Sequence, residues 1–372
     1  MGTILTFIIV LSIIVLAHEF GHFYFARRAG IKVEEFGIGF PPRLFGKKFG
    51  DTTYTINAIP IGGFVRLKGE SGENAKDKDS FVNKTAWQRS QVIVAGVVMN
   101  MVLAWVLFSI GYLFGLPQII DEESKLSSFA RVSEERLHVV QVLEDTPAAA
   151  AGIEVGDVIQ QADSEPMTSI EGFAGITGGR GDAPVDLVLD RDGEAVEVSV
   201  APAILEATGR PGIGVSLMKT GLVAYPIYMA PIEGLTTTVS FTGQITVAFA
   251  TIIKDLVSGA GTDVDISGPV GIAVVSGEVA RHGWRHLLQF IALLSINLGI
   301  LNILPLPALD GGRLLFLIIE RLRGKPVSRQ VEAMIHNTGF ALLLLLVLIV
   351  TYGDVVRFGD RILSAFTSVF TG

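Results

Sequence analysis

Residues Leu5 to Ala17 form an almost unbroken hydrocarbon run, and the next five residues are His18-Glu19-Phe20-Gly21-His22. Two imidazoles and a carboxylate therefore lie in or beside the first segment long enough to cross a bilayer. Unpaired polar groups at that depth are costly, so a partner has to be found for them. On a helix, residues i and i+4 share a face, and the ring nitrogens of His18 and His22 can converge on one cation. Glu19 can reach a water bound to that cation. The spacing is that of H-E-x-x-H, in which Zn2+ acidifies its water and the glutamate takes the proton. The bland reading is a chance match on a solvated helix. That costs a soluble protein nothing, whereas here it would strand charged groups in lipid.

With 372 residues, 49% of them apolar, and a mean hydropathy of +0.52, the chain reads as a polytopic membrane protein. The first run is expected to stay in the mature chain, because no basic stretch precedes it and no small-residue cleavage site follows it. There is no cysteine. A thiolate nucleophile, a cysteine zinc site and disulfides are excluded, and any metal must be held by His, Asp and Glu. The net charge of -8 is unevenly spread: Gln118 to Gly283 carries 24 Asp and Glu against 9 Lys and Arg, whereas Arg27 to Arg89 carries 12 Lys and Arg. Such asymmetry speaks for membrane orientation and against nucleic-acid binding.

Four segments are expected to span, at roughly 3–26, 91–116, 284–304 and 337–356. Basic residues follow the first (Arg27, Arg28, Lys32, Arg43, Lys47, Lys48) and separate the third from the fourth (Arg313, Arg321, Arg323, Lys325, Arg329). The positive-inside rule assigns both loops to the cytoplasm, and both termini and the acidic region 117–283 to the other side. Between 36 and 69 the chain is apolar, glycine-rich and proline-broken, with alternation over Tyr54 to Ile59. It is expected to fold back as a β-hairpin beside the metal helix, where non-helical backbone is tolerated if it lines a cavity; an ordinary cytoplasmic hairpin is the alternative. Ser80 to Arg89 reads as an interfacial helix. Residues 117–135 are expected as a linker. Roughly 136–218 then reads as a strand from His138, a short helix opened near Pro147, a Gly156-Asp157 turn into another strand, and a hairpin of Val185–Leu189 with Ala195–Val200 closed by Asp192-Gly193. This order resembles a permuted PDZ domain of the bacterial type, present once. Ile227 to Val257 suits surface-lying helices within 219–283, with a fifth span there as the alternative that would break the charge pattern, and 284–372 holds the last two spans.

H-E-x-x-H supplies two ligands, and a catalytic zinc usually takes a third. His138, His282, His286 and His336 fall in segments read as lying outside the bilayer. The polar set left at membrane depth is Asn297 and then Asn302-Ile-Leu-Pro-Leu-Pro-Ala-Leu-Asp310-Gly-Gly, where Pro305 and Pro307 end a helix. Asp310 is open to two compatible readings, a third ligand or the N-cap of a helix starting near Arg313.

At this point the chain resembles the site-2 proteases, the intramembrane zinc metalloproteases, and within them the bacterial RseP-like group. The likeness rests on His18-Glu-Phe-Gly-His22, on Asn302-x-x-Pro305 with Leu309-Asp310-Gly311, and on a PDZ-like domain between them. Phe36-Gly-Ile-Gly-Phe, Ile61-Gly-Gly-Phe-Val-Arg-Leu, Ala95-Gly96 with Asn100, and Ser267-Gly-Pro-Val-Gly-Ile add to it. Val97 stands where a proline is common in the family. The resemblance implies Zn2+ bound by His18, His22 and Asp310, water activated by Glu19, and Asn302 holding the scissile peptide or its oxyanion. A substrate strand would lie along Gly62, Gly63, Phe64 and Val65. The implied activity is a metalloendopeptidase of a bacterial cytoplasmic membrane, cutting single-span proteins already trimmed by a site-1-type protease, such as anti-sigma factors or remnant signal peptides. The PDZ-like domain would bind peptide C-termini or filter substrates by size. Two other readings are a silent PDZ scaffold and a metal-ion transporter. Intact charged groups in lipid argue against the first, and the lack of inverted repeats in the sequence against the second.

Overall fold

The computed structural model describes residues 2–370 apart from 71, 72, 74, 75, 121–125, 182, 192, 207, 208, 260–267 and 326. The chain divides into two compact units, Met1–Ile110 with Pro231–Gly372, and Gly111–Ala230. Of the sequence expectations, the Asp192 half of the hairpin turn and Ser267 lie outside the described residues.

The apolar run forms α1 (Gly2–Arg28), which carries Arg27 and Arg28 in its last turn, where cations suit the helix dipole. It stops at Gly30, whose φ of +67° continues no helix. The chain then makes β1 (Val33–Phe49) and β2 (Thr52–Leu67). The alternation predicts one simple hairpin, but each strand doubles back. Glu35–Ile38 pair on one side with Gly63–Arg66 and on the other with Thr53–Ile56, while Arg43–Phe49 pair with Thr52–Asn57. Two strands thus make four backbone ribbons in the order 63–67, 33–38, 52–57, 43–49. Gly39 and Gly62, both at φ +74°, supply bends that a side chain would strain. Buried Glu35 ties the ribbons together, accepting from the Thr55 hydroxyl (3.0 Å) and pairing with Arg43 (3.1 Å) and Arg66 (3.2 Å).

The sheet reaches from the end of α1 to its middle. At one end the Thr52 hydroxyl donates to the Val33 carbonyl, near the close of α1. At the other the Ser12 hydroxyl donates to the Pro60 carbonyl. Ser12 and Arg28 are separated by about 24 Å of helical rise. The second helix, α2 (Ala86–Phe114), opens with a capping box: the Gln88 N–H donates to Thr85 Oγ1 and the Thr85 N–H to Gln88 Oε1. The interfacial helix expected over Ser80–Arg89 is therefore only a 3-10 turn at Phe81–Asn83, because the box at Thr85 starts a new helix.

Gly111–Ala230 is built on one sheet. It holds β3 (Leu116–Ile119), β4 (Arg131–Val142), α3 (Pro147–Ala150), β5 (Val158–Ala162), β6 (Glu165–Pro166), α4 (Ile170–Gly179), β7 (Val185–Arg191), β8 (Glu194–Val200), β9 (Ala203–Ile204), β10 (Pro211–Gly212) and β11 (Val215–Ala224). The strand order is β3-β11-β4-β5-β7-β8, with β6 on β5 and a separate β9-β10 pair. Leu137, Ile159, Phe173, Leu187, Leu189 and Ile213 fill its core. The stretch expected as a linker contributes β3 and the start of β4, because β11 runs to Ala224 and pairs with both.

The chain continues as α5 (Ala230–Ser258), α6 (Pro269–Arg281), α7 (Trp284–Ile303), α8 (Asp310–Arg323) and α9 (Arg329–Phe370). Among the described residues five helices are long and apolar enough to cross a membrane: α1, α2, α5, α7 and the Gln330–Arg357 part of α9. The protein is a multi-pass membrane protein. The helix beyond the four expected spans is α5, whose polarity is muted because Thr236, Thr238, Thr242 and Thr246 each donate to the carbonyl one turn back. Val10 and Ile14 of α1, Leu103 and Leu107 of α2, and Leu287 and Ile291 of α7 share one core.

Candidate metal centre

Two glycines let α1 and α2 meet. A Cβ on Gly21 would collide with the Ala95 carbonyl, and one on Gly96 would lie 2.6 Å from both His18 Cε1 and His22 Nε2. The imidazoles pack directly on bare backbone. Asp310 arrives from the far end of the sequence, through the turn that follows α7. That turn is held by the Ala308 N–H donating to His336 Nδ1 (3.0 Å), and Gly339 of α9 packs against Pro307. Asp310 is not the cap of a helix near Arg313: the Gly312 N–H donates to the Leu309 carbonyl, so the first turn closes there and Asp310 is the first residue of α8. Gly311 and Gly312 lie so close to the carbonyls of Ile303, Leu304 and Leu306 that neither has room for a side chain.

The three groups meet. His18 Nε2 is 2.9 Å and His22 Nε2 3.2 Å from Asp310 Oδ2, and the two Nε2 atoms are 3.1 Å apart. Tetrahedral zinc at about 2.0–2.1 Å from its ligands sets neighbouring ligand atoms roughly 3.3 Å apart, so the cluster is of the right size. Its chemistry fits too. His22 Nδ1 is 2.8 Å from the Val92 carbonyl, which fixes the proton on Nδ1 and leaves the Nε2 lone pair facing the cluster. Two lone pairs and a carboxylate oxygen converging at 3 Å call for a cation. Among the described residues, no other group of His, Asp and Glu comes together in this way.

A cavity of about 330 Å3 opens over the cluster, lined among others by Glu19, Phe64, Val65, Asn302 and Asp310, with Glu70 and Arg313 forming an ion pair on its wall. Asn302, at the end of α7, brings its amide nitrogen to 3.5 Å from His18 Nε2. Glu19 faces the backbone N–H of Val65. Phe64 and Val65 line the cavity, whereas Gly62 and Gly63 do not: the Gly37 carbonyl and Leu16 of α1 leave no room for a Cβ on Gly63, and Val15 of α1 leaves little for one on Gly62. These glycines bring the 63–67 ribbon against α1. Among the described residues no further strand pairs with its outer edge. Beyond that ribbon, the pKa of Lys68 is pushed up to about 12 by bonds to Asp77 and Asp79, at 2.8 Å each.

His282 and His286 bond to carbonyls one turn back in their own segment, and half-buried His138 lies in β4, so none joins the cluster. Sequence reasoning missed the Val92 carbonyl, which leaves no trace in side-chain identity, and the Glu70–Arg313 pair, which joins residues remote in sequence. It also gave Asn100 no role, although an asparagine in an apolar helix was a visible signal.

The family model for peptidase family M50 matches residues 6–346. The regulator of sigma-W protease RasP of Bacillus subtilis is 32% identical over 441 residues, covering 96% of this chain and 99% of that protein. The zinc metalloprotease RasP of Oceanobacillus iheyensis is 31% identical over 442 residues, with the same coverages of 96% and 99%. Among solved structures, the PDZ domain of the SdrC-like protein of Listeria monocytogenes matches 23% of this chain and 92% of its own, at 23% identity and a TM-score of 0.22. With its H-E-x-x-H helix and most of its length matched, the chain belongs to peptidase family M50 and is a zinc metalloprotease.

Proposed function

We propose that the protein hydrolyses peptide bonds within or near the transmembrane segments of single-span membrane proteins, at a site on the cytoplasmic side of a bacterial cytoplasmic membrane. The observation that carries this is the meeting of His18, His22, Asp310 and Glu19 in one cavity beside a strand edge that pairs with no further strand among the described residues. His18, His22 and Asp310 would hold Zn2+, which supplies a Lewis acid that acidifies water and polarises the scissile carbonyl. Glu19 takes one proton of the attacking water and passes it to the departing amine, so that one peptide and one water give a carboxylic acid and an amine. The Asn302 amide donates to the oxyanion that forms on the carbonyl.

The substrate helix must unwind, since its carbonyls are otherwise locked in i to i-4 bonds. The outer edge of the 63–67 ribbon receives it as an added strand, with Phe64 and Val65 against its side chains. Water enters past Glu70 and Arg313. α1 and α7 both bring their C-terminal ends to the cluster, so α5 with α6 makes no net crossing, a parity that agrees with the charge-based orientation. Gly111–Ala230, acidic and PDZ-like in its element order, is then extracytoplasmic, where it admits chains already trimmed by another protease. The Bacillus subtilis relative is named regulator of sigma-W protease; a membrane-anchored anti-sigma factor is the matching substrate class here.

Incubating the purified protein with a single-span model substrate and mapping the cut by mass spectrometry tests this. The expected cut lies in or beside the cytoplasmic half of the span and disappears when a zinc chelator is added. Cleavage confined to water-exposed loops remote from the span would contradict it.

A further inference from the structure

Asn100 is fully buried (0% exposed) in the middle of α2, and neither ligation nor proton transfer uses it. α7 packs against it: the Ser295 hydroxyl donates to its backbone carbonyl (2.9 Å), and bare Gly299 lies beside it, where an added Cβ would be 3.5 Å from the Asn100 Cβ. Its amide nitrogen is 3.5 Å from His18 Nδ1, and its Oδ1 has no hydrogen-bond partner. When His18 offers its Nε2 lone pair to a cation, the proton of the neutral ring sits on Nδ1. Nδ1–H would then face another N–H while a buried oxygen goes unpaired. The two ends of a carboxamide occupy the same envelope, and turning the group over satisfies both atoms at once.

We propose that Asn100 is a positioning residue of the metal centre. Its Oδ1 accepts from His18 Nδ1–H and so fixes the tautomer and ring orientation that present Nε2 to zinc, as the Val92 carbonyl does for His22. The inference rests on the metal reading above. It explains why a carboxamide stands where leucine would pack as well: an apolar neighbour would leave His18 free to carry its proton on Nε2, the tautomer that cannot ligate.

The test is zinc affinity rather than turnover. Full-length protein in detergent, stripped of metal, is titrated with zinc against a colorimetric chelator for wild type, Asn100→Leu, Asn100→Asp and His18→Ala. Leucine keeps the volume and removes both polar atoms; aspartate keeps only the acceptor. Asn100→Leu is expected to bind zinc about 10- to 100-fold more weakly, and Asn100→Asp at least as tightly as wild type. Wild-type affinity in Asn100→Leu, or weakened affinity in Asn100→Asp, overturns the proposal, and the aspartate arm decides alone if the leucine variant does not fold. His18→Ala separates the two levels. Zinc affinity that survives it overturns the metal reading itself, whereas its loss there beside an unchanged Asn100→Leu overturns only the role of Asn100.

Discussion

Gly96 shows how narrowly single atoms determine this centre. A methyl group there would press on both imidazoles at 2.6 Å, and displacing a catalytic group by about 1 Å can lower a rate roughly 100-fold. Gly96→Ala is expected to lose cleavage by about that factor and to hold less zinc, measured by activity and metal content on the same preparation. The Gly111–Ala230 unit has its own critical residue. Asp157 is 1% exposed and takes a two-pronged bond from Arg191, at 2.7 Å to each oxygen. Burial alone would raise its pKa, but the Arg191 guanidinium and the Glu154 N–H more than offset that and hold it below the usual carboxylate value. Since the folded pKa is the lower one, the stability contributed by this pair is present above the unfolded value of about 4 and is lost as pH falls through the folded value. Asp157→Asn is expected to destabilise this unit by about 3 kcal/mol, with a smaller acid-side loss than wild type in a pH series of melting curves. The meeting of His18, His22 and Asp310 was legible in the sequence because an imidazole or a carboxylate in hydrocarbon is costly unless it finds a partner. Val92 was not, since its part is played by a backbone oxygen.

Among the elements, the sheet departs most from its sequence reading. Alternation over Tyr54 to Ile59 marks a strand, but it does not say that the strand turns at Gly62 and pairs a second time. The ribbon Arg43–Phe49 has no clean alternation, because its apolar residues Leu44, Phe45 and Phe49 are exposed and not turned toward one core face. α5 was legible as a helix and as an alternative fifth span, but the charge pattern spoke against a crossing there and threonine looks polar until its hydroxyl is satisfied within the helix. The edge of the 63–67 ribbon carries the substrate proposal. Val65→Pro removes an N–H that faces Glu19 and the cavity, and a proline cannot donate to an added strand. Cleavage is expected to fall to background while zinc content stays at the wild-type level. Unchanged cleavage would sink the strand-addition model.

For the whole molecule, the charge pattern and the H-E-x-x-H and Asn302–Asp310 motifs pointed to a polytopic protein, while the extent of the Gly111–Ala230 unit was harder to read because β3 and β11 carry no punctuation of their own. The Tyr225 N–H donates to the Tyr112 carbonyl (2.8 Å), so the two ends of that unit are adjacent. Excising residues 113–224 and joining the ends tests what the unit does. If it excludes bulky ectodomains, the shortened enzyme is expected to cut an untrimmed substrate that the full chain leaves intact, as gel assays of both would show; loss of all cleavage would make it a recruiter instead. The central claim, that this is a zinc peptidase in which Glu19 moves the proton, is tested most directly by comparing wild type and Glu19→Gln for cleavage of a single-span substrate, with zinc content measured on both. Equal zinc, activity in the first and at most background in the second is the expected result. Equal zinc with undiminished activity in Glu19→Gln would contradict it.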